Sequence, residues 1–164
     1  MKYVRVLVES GKRIRLNKVN PDDKVIGIML SSGHIVSLNL VSPDSKIFSS
    51  DFRGIKGIED LKKAEKDFGG KENTSKLPLL LELKENEYIP ALGELKKAVK
   101  ELWKIRYVRE ILHLDSIPKD CWFLSSTVRS NETMWIVYSY GDTNWYYWDG
   151  YCRGTYYVLA FLRK

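Results

Sequence analysis

The C-terminal third constrains this chain most. Four of its five tryptophans and seven of its ten tyrosines fall between Trp122 and Tyr157. They alternate with Ser, Thr, Asn, Gly and Arg and do not recur at the 3.6-residue spacing of a helix, so the segment reads as strands and turns. A core segment would carry more Leu, Ile and Val and fewer hydroxyls. Tyr and Trp interleaved with small polar residues is the composition of a contact surface, because each ring offers a large area for only two frozen torsions. The segment is expected to be a recognition surface, and the rest of the chain its support.

At 164 residues the chain is expected to form one domain with a substantial core. Hydrophobic content of 44% and charged content of 29% are ordinary for a globular protein. A net charge of +6 is too modest to point to nucleic acid, and most lysines are expected on solvated helix faces. The apolar run in Met1 to Glu9 is too short for a signal peptide and is interrupted by Arg5. No stretch approaches the length of a membrane span. The expected setting is the cytoplasm or a phage particle, with surface display by another route. Cys121 and Cys152 make no CxxC and are expected to be one buried thiol and one surface thiol, not a bridge or a catalytic pair.

Period-two alternation predicts strands at Met1 to Glu9 and Arg13 to Leu16, with Ser10-Gly11-Lys12 as the turn. Lys24 to Leu30 is nearly all apolar and predicts a buried strand, joined through Ser31-Ser32-Gly33-His34 to Ile35 to Val41. Residues 1–45 thus read as a β meander. Helical spacing predicts a first helix over Ile58 to Phe68, stopped by Gly69-Gly70. Leu77 to Leu83 fits either a helix or a strand. A second helix opens at Pro90, where a missing N–H costs nothing. Leu92, Leu95, Val99, Leu102 and Trp103 form its apolar stripe, and Lys96, Lys97, Lys100 and Lys104 its solvated face. Arg106 to Leu114 continues it or forms a short helix of its own. Strands follow from Trp122, at Trp135 to Tyr140, Trp145 to Trp148 and Tyr156 to Arg163, with Gly141 to Asn144 as a turn and Asp149 to Thr155 as a loop. Strands, two helices and strands again predict an α+β domain, with helices packed on antiparallel sheets.

Several separated motifs resemble one family. They are Gly70-Lys71-Glu72-Asn73-Thr74, Tyr88-Ile89-Pro90-Ala91-Leu92-Gly93-Glu94-Leu95, Trp122-Phe123-Leu124-Ser125-Ser126-Thr127, Met134-Trp135-Ile136-Val137-Tyr138 and Tyr156-Tyr157-Val158-Leu159-Ala160-Phe161. In this order and spacing the chain resembles the C-type-lectin-like domains of gut Bacteroidetes and their phages, relatives of the formylglycine-generating-enzyme fold. The third motif often reads Tyr-Trp-Ser-Ser-Thr-Glu in that family, and Phe123-Leu124 and Val128 depart from it. The likeness covers roughly residues 54 to 164. It implies a C-type-lectin-like fold with two main helices and paired N- and C-terminal strands. It also implies the variable protein of a diversity-generating retroelement, which mutates adenines in a C-terminal repeat to alter receptor specificity. The residues reachable from AAC or AAT codons exclude Trp, Lys, Glu, Gln and Met, and Asp149 to Tyr157 stays within the permitted set.

The expected contact residues are Asn144, Trp145, Tyr147, Asp149, Tyr151, Arg153 and Thr155, taken at alternate positions to share a face. Tyr146 and Trp148 are expected toward the core, as are Trp122, Trp135 and Tyr138, while Ser125, Ser126 and Thr127 hydrogen-bond the backbone. The expected ligand is a protein or a cell-surface glycan, with no cofactor, no metal, no nucleic acid and no membrane span, on a monomer or a homo-oligomer. No catalytic residue is assigned. His34 is expected as plain surface in a turn and His113 as structural, and no metal-ligand spacing, phosphate loop or Ser-His-Asp order stands out. The alternatives are a sugar-binding lectin, a thiol enzyme of the formylglycine-generating-enzyme-like fold using Cys121 and Cys152, and a structural domain. Asp142, Asn144 and Asp149 are too few for a calcium site.

Overall fold

Alternation in the first strand buries Val4, Val6 and Val8 on one side and leaves Tyr3 and Arg5 exposed. The computed structural model describes residues 3–41, 61–66, 83–130, 133–147 and 156–163. The strands are β1 (Arg5–Val8), β2 (Arg13–Arg15), β3 (Val25–Met29), β4 (Ile35–Val41), β5 (Glu87–Tyr88), β6 (Trp122–Ser130), β7 (Thr133–Tyr138), β8 (Thr143–Tyr147) and β9 (Tyr156–Leu162). The helices are α1 (Leu61–Ala64), α2 (Leu92–Lys100) and α3 (Leu102–Ile111). No helix among the described residues is long and apolar enough to cross a membrane.

Three hairpins close by the same turn. In each, an amide bonds the carbonyl four residues on, and the amide of a glycine bonds back: Val8 with Lys12 and Gly11, Leu30 with His34 and Gly33, Tyr138 with Asp142 and Gly141. The three glycines have φ of 91°, 88° and 103°, a left-handed conformation that side chains disfavour, as a three-residue hairpin loop requires.

The strands run in the order β2-β1-β3-β4-β9-β6-β7-β8, with β5 also on β9. The fold is α+β, but the sheet is mixed where antiparallel sheets were expected, because β6 and β9 run parallel through Trp122–Tyr156 and Phe123–Tyr157. The first and last strands do not pair. β2 and β3 occupy both edges of β1, so β9 pairs instead with β4, Val36 opposite Phe161 and Ile35 opposite Leu162. The opening strands are therefore not in simple up-and-down order.

On one face of the sheet, Val6, Ile28, Val36, Phe123, Val137 and Phe161 join Leu92, Leu95, Ile105 and Val108 of the helices in one buried cluster. On the other, Ile35, Leu124, Ile136, Val158, Ala160 and Leu162 are also buried. With both faces covered, β9 needs a continuous apolar run, which Val158 to Leu162 supplies.

The helical stretch breaks at Glu101, between α2 and α3. Its carboxylate accepts hydrogen bonds from the Ser31 amide at 3.0 Å and from Lys104 Nζ at 2.5 Å, pinning the β3–β4 turn to the break. The apolar stripe runs on through the break as Leu95, Val99, Leu102, Ile105 and Val108. Leu102 is buried, but Trp103 is 41% exposed and not part of the stripe. Of the first predicted helix, Ile58 and Phe68 lie outside the described residues, as does most of Leu77 to Leu83.

Candidate functional site

The side of the sheet formed by β6, β7 and β8 carries the aromatic residues. Antiparallel pairing sets Trp122 directly opposite Tyr138. Their rings lie 4.7 Å apart, and Tyr138 lies 5.5 Å from Tyr140, which is 61% exposed in the β7–β8 turn. Trp122 and Tyr138 were expected in the core. Both are half-buried members of a row that leads out to solvent, because they sit at the strand ends beyond Leu124 and Ile136. Ser139 fixes the base of the row, its hydroxyl donating to Lys119 O at 2.8 Å and accepting from the Cys121 amide at 3.3 Å.

On the opposite face of β7, Trp135 is buried and pairs directly with Trp145 of β8. Trp145 is half-buried, packed against the core on the Trp135 side. Arg129 of β6 lays its guanidinium 4.2 Å over the Trp145 ring and 5.9 Å from the Trp135 ring. Three adjacent strands thus give one residue each to a stack of two indoles and a cation.

This register corrects the expected phase of β8. Trp145 lies on the core-packed face with Trp135. Asn144, opposite Ile136, is exposed on the other face, so the two do not share one. Asn144 Oδ1 accepts from the Trp145 amide at 2.8 Å. The backbone of Tyr147 ends β8 opposite Thr133, and its side chain lies outside the description, as does that of Tyr146. Trp148, Asp149, Tyr151, Arg153 and Thr155 lie outside the described residues.

The hydroxyls of β6 brace this side. Ser125 Oγ donates to Trp135 O at 2.7 Å, and Thr127 Oγ1 accepts from the Leu92 amide at 2.9 Å. The Ser126 hydroxyl differs from expectation, being buried without a hydrogen-bond partner among the described residues.

His34 is not plain surface. Its Nε2 stands 3.2 Å from Glu94 Oε2, and its Nδ1 2.7 Å from Ser32 Oγ. Glu94 is 2% exposed and accepts from the Tyr88 hydroxyl at 2.7 Å and the Ala91 amide at 3.1 Å. Burial, then the hydrogen bond to Glu94, push the Tyr88 hydroxyl above the ordinary tyrosine value. The spacing of Ser32, His34 and Glu94 is within reach of proton transfer. The carboxylate, however, sits at the third residue of α2 and satisfies an orphan amide there, as helix starts require. Ser32 Oγ also accepts from the His34 amide at 3.4 Å, within its own turn. The group clamps the hairpin to the helix. Glu three residues after Ala91, at a helix start, is the sequence signal that was passed over.

Cys121 is buried and free, and burial pushes its thiol up to about 11. Among the described residues no three His, Cys, Asp or Glu side chains are grouped to hold a metal ion. His113 is exposed, with φ 56°. At the far edge of the sheet a cleft of about 230 Å³ is lined by Tyr3, Arg15, Tyr107 and Ile111. Comparison with known protein families, with curated proteins and with solved structures finds no match to this chain.

Proposed function

We propose that this chain is a ligand-recognition module with a C-type-lectin-like fold, whose C-terminal surface is varied by a diversity-generating retroelement. Its contact residues are Asn144, Trp145, Tyr147, Asp149, Tyr151, Arg153 and Thr155, and its ligand is a protein or a cell-surface glycan. The observation that carries the reading is the setting of Trp145. It is half-buried on the edge strand of the sheet, with buried Trp135 beside it and Arg129 over its ring. A ring braced in this way has already lost its torsional freedom, so little ordering remains to oppose binding. The Trp122–Tyr138–Tyr140 row adds aromatic contact area on the other face of the same hairpin.

A rigid support also lets exposed positions vary at small cost in stability. Ile136 and Val137 of β7, at most 1% exposed, provide that support beside β8, where they pair with Asn144 and Thr143. The thiol-enzyme alternative needs a reactive cysteine, and a buried thiol held near 11 weighs against Cys121 in that role.

The test is the DNA beside the gene. The reading expects a reverse-transcriptase gene and a near-identical, non-coding copy of the C-terminal coding repeat, differing at adenines. A locus without either would leave the aromatic side as a fixed-sequence interface and overturn the diversification.

A further inference from the structure

We propose that the Arg129 guanidinium is a docking point for an Asp or Glu side chain of a protein ligand. The inference rests on the reading of the β6–β8 side as a recognition surface, and it names the ligand chemistry there. Arg129 is half-buried, and its contacts are with the two indole rings, 4.2 Å from Trp145 and 5.9 Å from Trp135. Among the described residues it makes no hydrogen bond and no ion pair. Arg15 lies likewise 4.2 Å over the Tyr3 ring, but it is exposed, whereas the less exposed arginines of α3 spend their donors on carbonyls. Arg106 donates to Pro118 O at 2.8 Å, and Arg109 donates to Asp115 O at 2.7 Å and Leu38 O at 2.5 Å.

A guanidinium over an aromatic face keeps its five N–H groups directed outward in its own plane. With its Cζ 4.2 Å over the Trp145 ring, the guanidinium is seated on the indole without spending a donor on any described residue. The donors reach water in the free protein, and a ligand that covers them must supply an acceptor in its place or leave them unmet at a cost. One planar fork matches one carboxylate, bonded through two parallel N–H groups. The face of Trp145 that a sugar ring would stack on is covered by Arg129 itself, which favours a carboxylate on a flexible side chain over an acidic sugar. The chain's net charge of +6 draws such a partner in at long range.

The test uses the full chain labelled with 15N. The Arg129 Nε–Hε cross-peak is identified by its loss in Arg129→Lys and in Arg129→Gln, both checked for retained near-UV circular dichroism. The probes are an acetylated, amidated Gly-Asp-Tyr-Asp-Gly peptide, its Gly-Asn-Tyr-Asn-Gly counterpart, and glucuronate. The Asp peptide is expected to shift the cross-peak saturably at concentrations on the order of millimolar. The Asn peptide and both variants, followed by tryptophan fluorescence, should bind at least about tenfold more weakly, the loss of a charge-assisted pair. No shift with the Asp peptide, equal shifts with both peptides, or stronger binding of glucuronate would overturn the inference. Ligands selected through residues 149–155 that bind Arg129→Lys undiminished would also overturn it, while leaving the recognition surface intact.

Discussion

Thr127 Oγ1 accepts a hydrogen bond from the Leu92 amide at 2.9 Å, tying the middle of β6 to the first turn of α2. Thr127 is wholly buried, so this amide has no water to turn to. Thr127→Val keeps the shape and removes the acceptor. It is expected to cost about 1–3 kcal/mol, read by urea unfolding, because a helix-start amide is left unmet. A loss below about 0.5 kcal/mol would mean that the helix is not held to the sheet in this way.

Glu101 should make stability depend on acid. Burial alone would raise its carboxyl, but hydrogen bonds from Lys104 and Ser31 outweigh burial and hold it below 4.5. A carboxyl lowered in the folded state adds stability above its unfolded value and loses it as pH falls through the folded one. Parent and Glu101→Gln should therefore differ by about 1 kcal/mol near neutral pH. The gap should close as pH drops below 4.5. A gap independent of pH would contradict this.

Gly27 sits where β3 approaches the β4–β9 seam. A Cβ there would lie 2.6 Å from Ile35 Cγ2 and 2.9 Å from Leu162 Cδ1. Ile35 Cγ2 is attached directly to the stiff, branched Cβ and has little room to give. Gly27→Ala is expected to destabilise by about 1–3 kcal/mol through overpacking, seen as a lower Tm. An unchanged Tm would mean that the seam is loose.

Cys121 should be chemically silent. In a Cys152→Ser background, a thiol reagent at pH 8 is expected to label the native protein at least about a hundredfold more slowly than the urea-unfolded chain, because the thiol is both buried and held protonated. Its value rises from 9.0 to about 11, so this group favours the fold below 9.0 and loses that contribution as pH climbs through 11. Rapid native labelling at pH 8 would reopen the thiol-enzyme alternative.

Strand positions were readable wherever one face is buried and the other wet. Val4, Val6 and Val8 alternate with Tyr3 and Arg5, and glycines mark the three hairpins. The order of the strands was not readable. Nothing in Val158 to Leu162 states that its edges meet β4, β5 and β6, since a run buried on both faces has no phase to read. The phase of β8 was misread for a related reason. Asn144, Trp145 and the following tyrosines are all plausible on either face, and only pairing with Trp135 decides which way Trp145 turns. Arg129 was passed over because its role comes from two rings on neighbouring strands. Glu101 was passed over because its partner, Ser31, lies 70 positions away.

The most direct measurement sets surface against interior. Asp149, Tyr151, Arg153 and Thr155 are replaced together by Ser, Asn, Gly and Ala mixtures, and the Tm of each product is compared with those of the parent and of Phe161→Ala. If the segment is a varied contact surface, most products should melt within about 2 °C of the parent. Phe161→Ala, which empties a site of 0% exposure, should fall by about 6 °C or more. Products that melt as low as Phe161→Ala would mean that the tail fills the interior, and the receptor reading would fail.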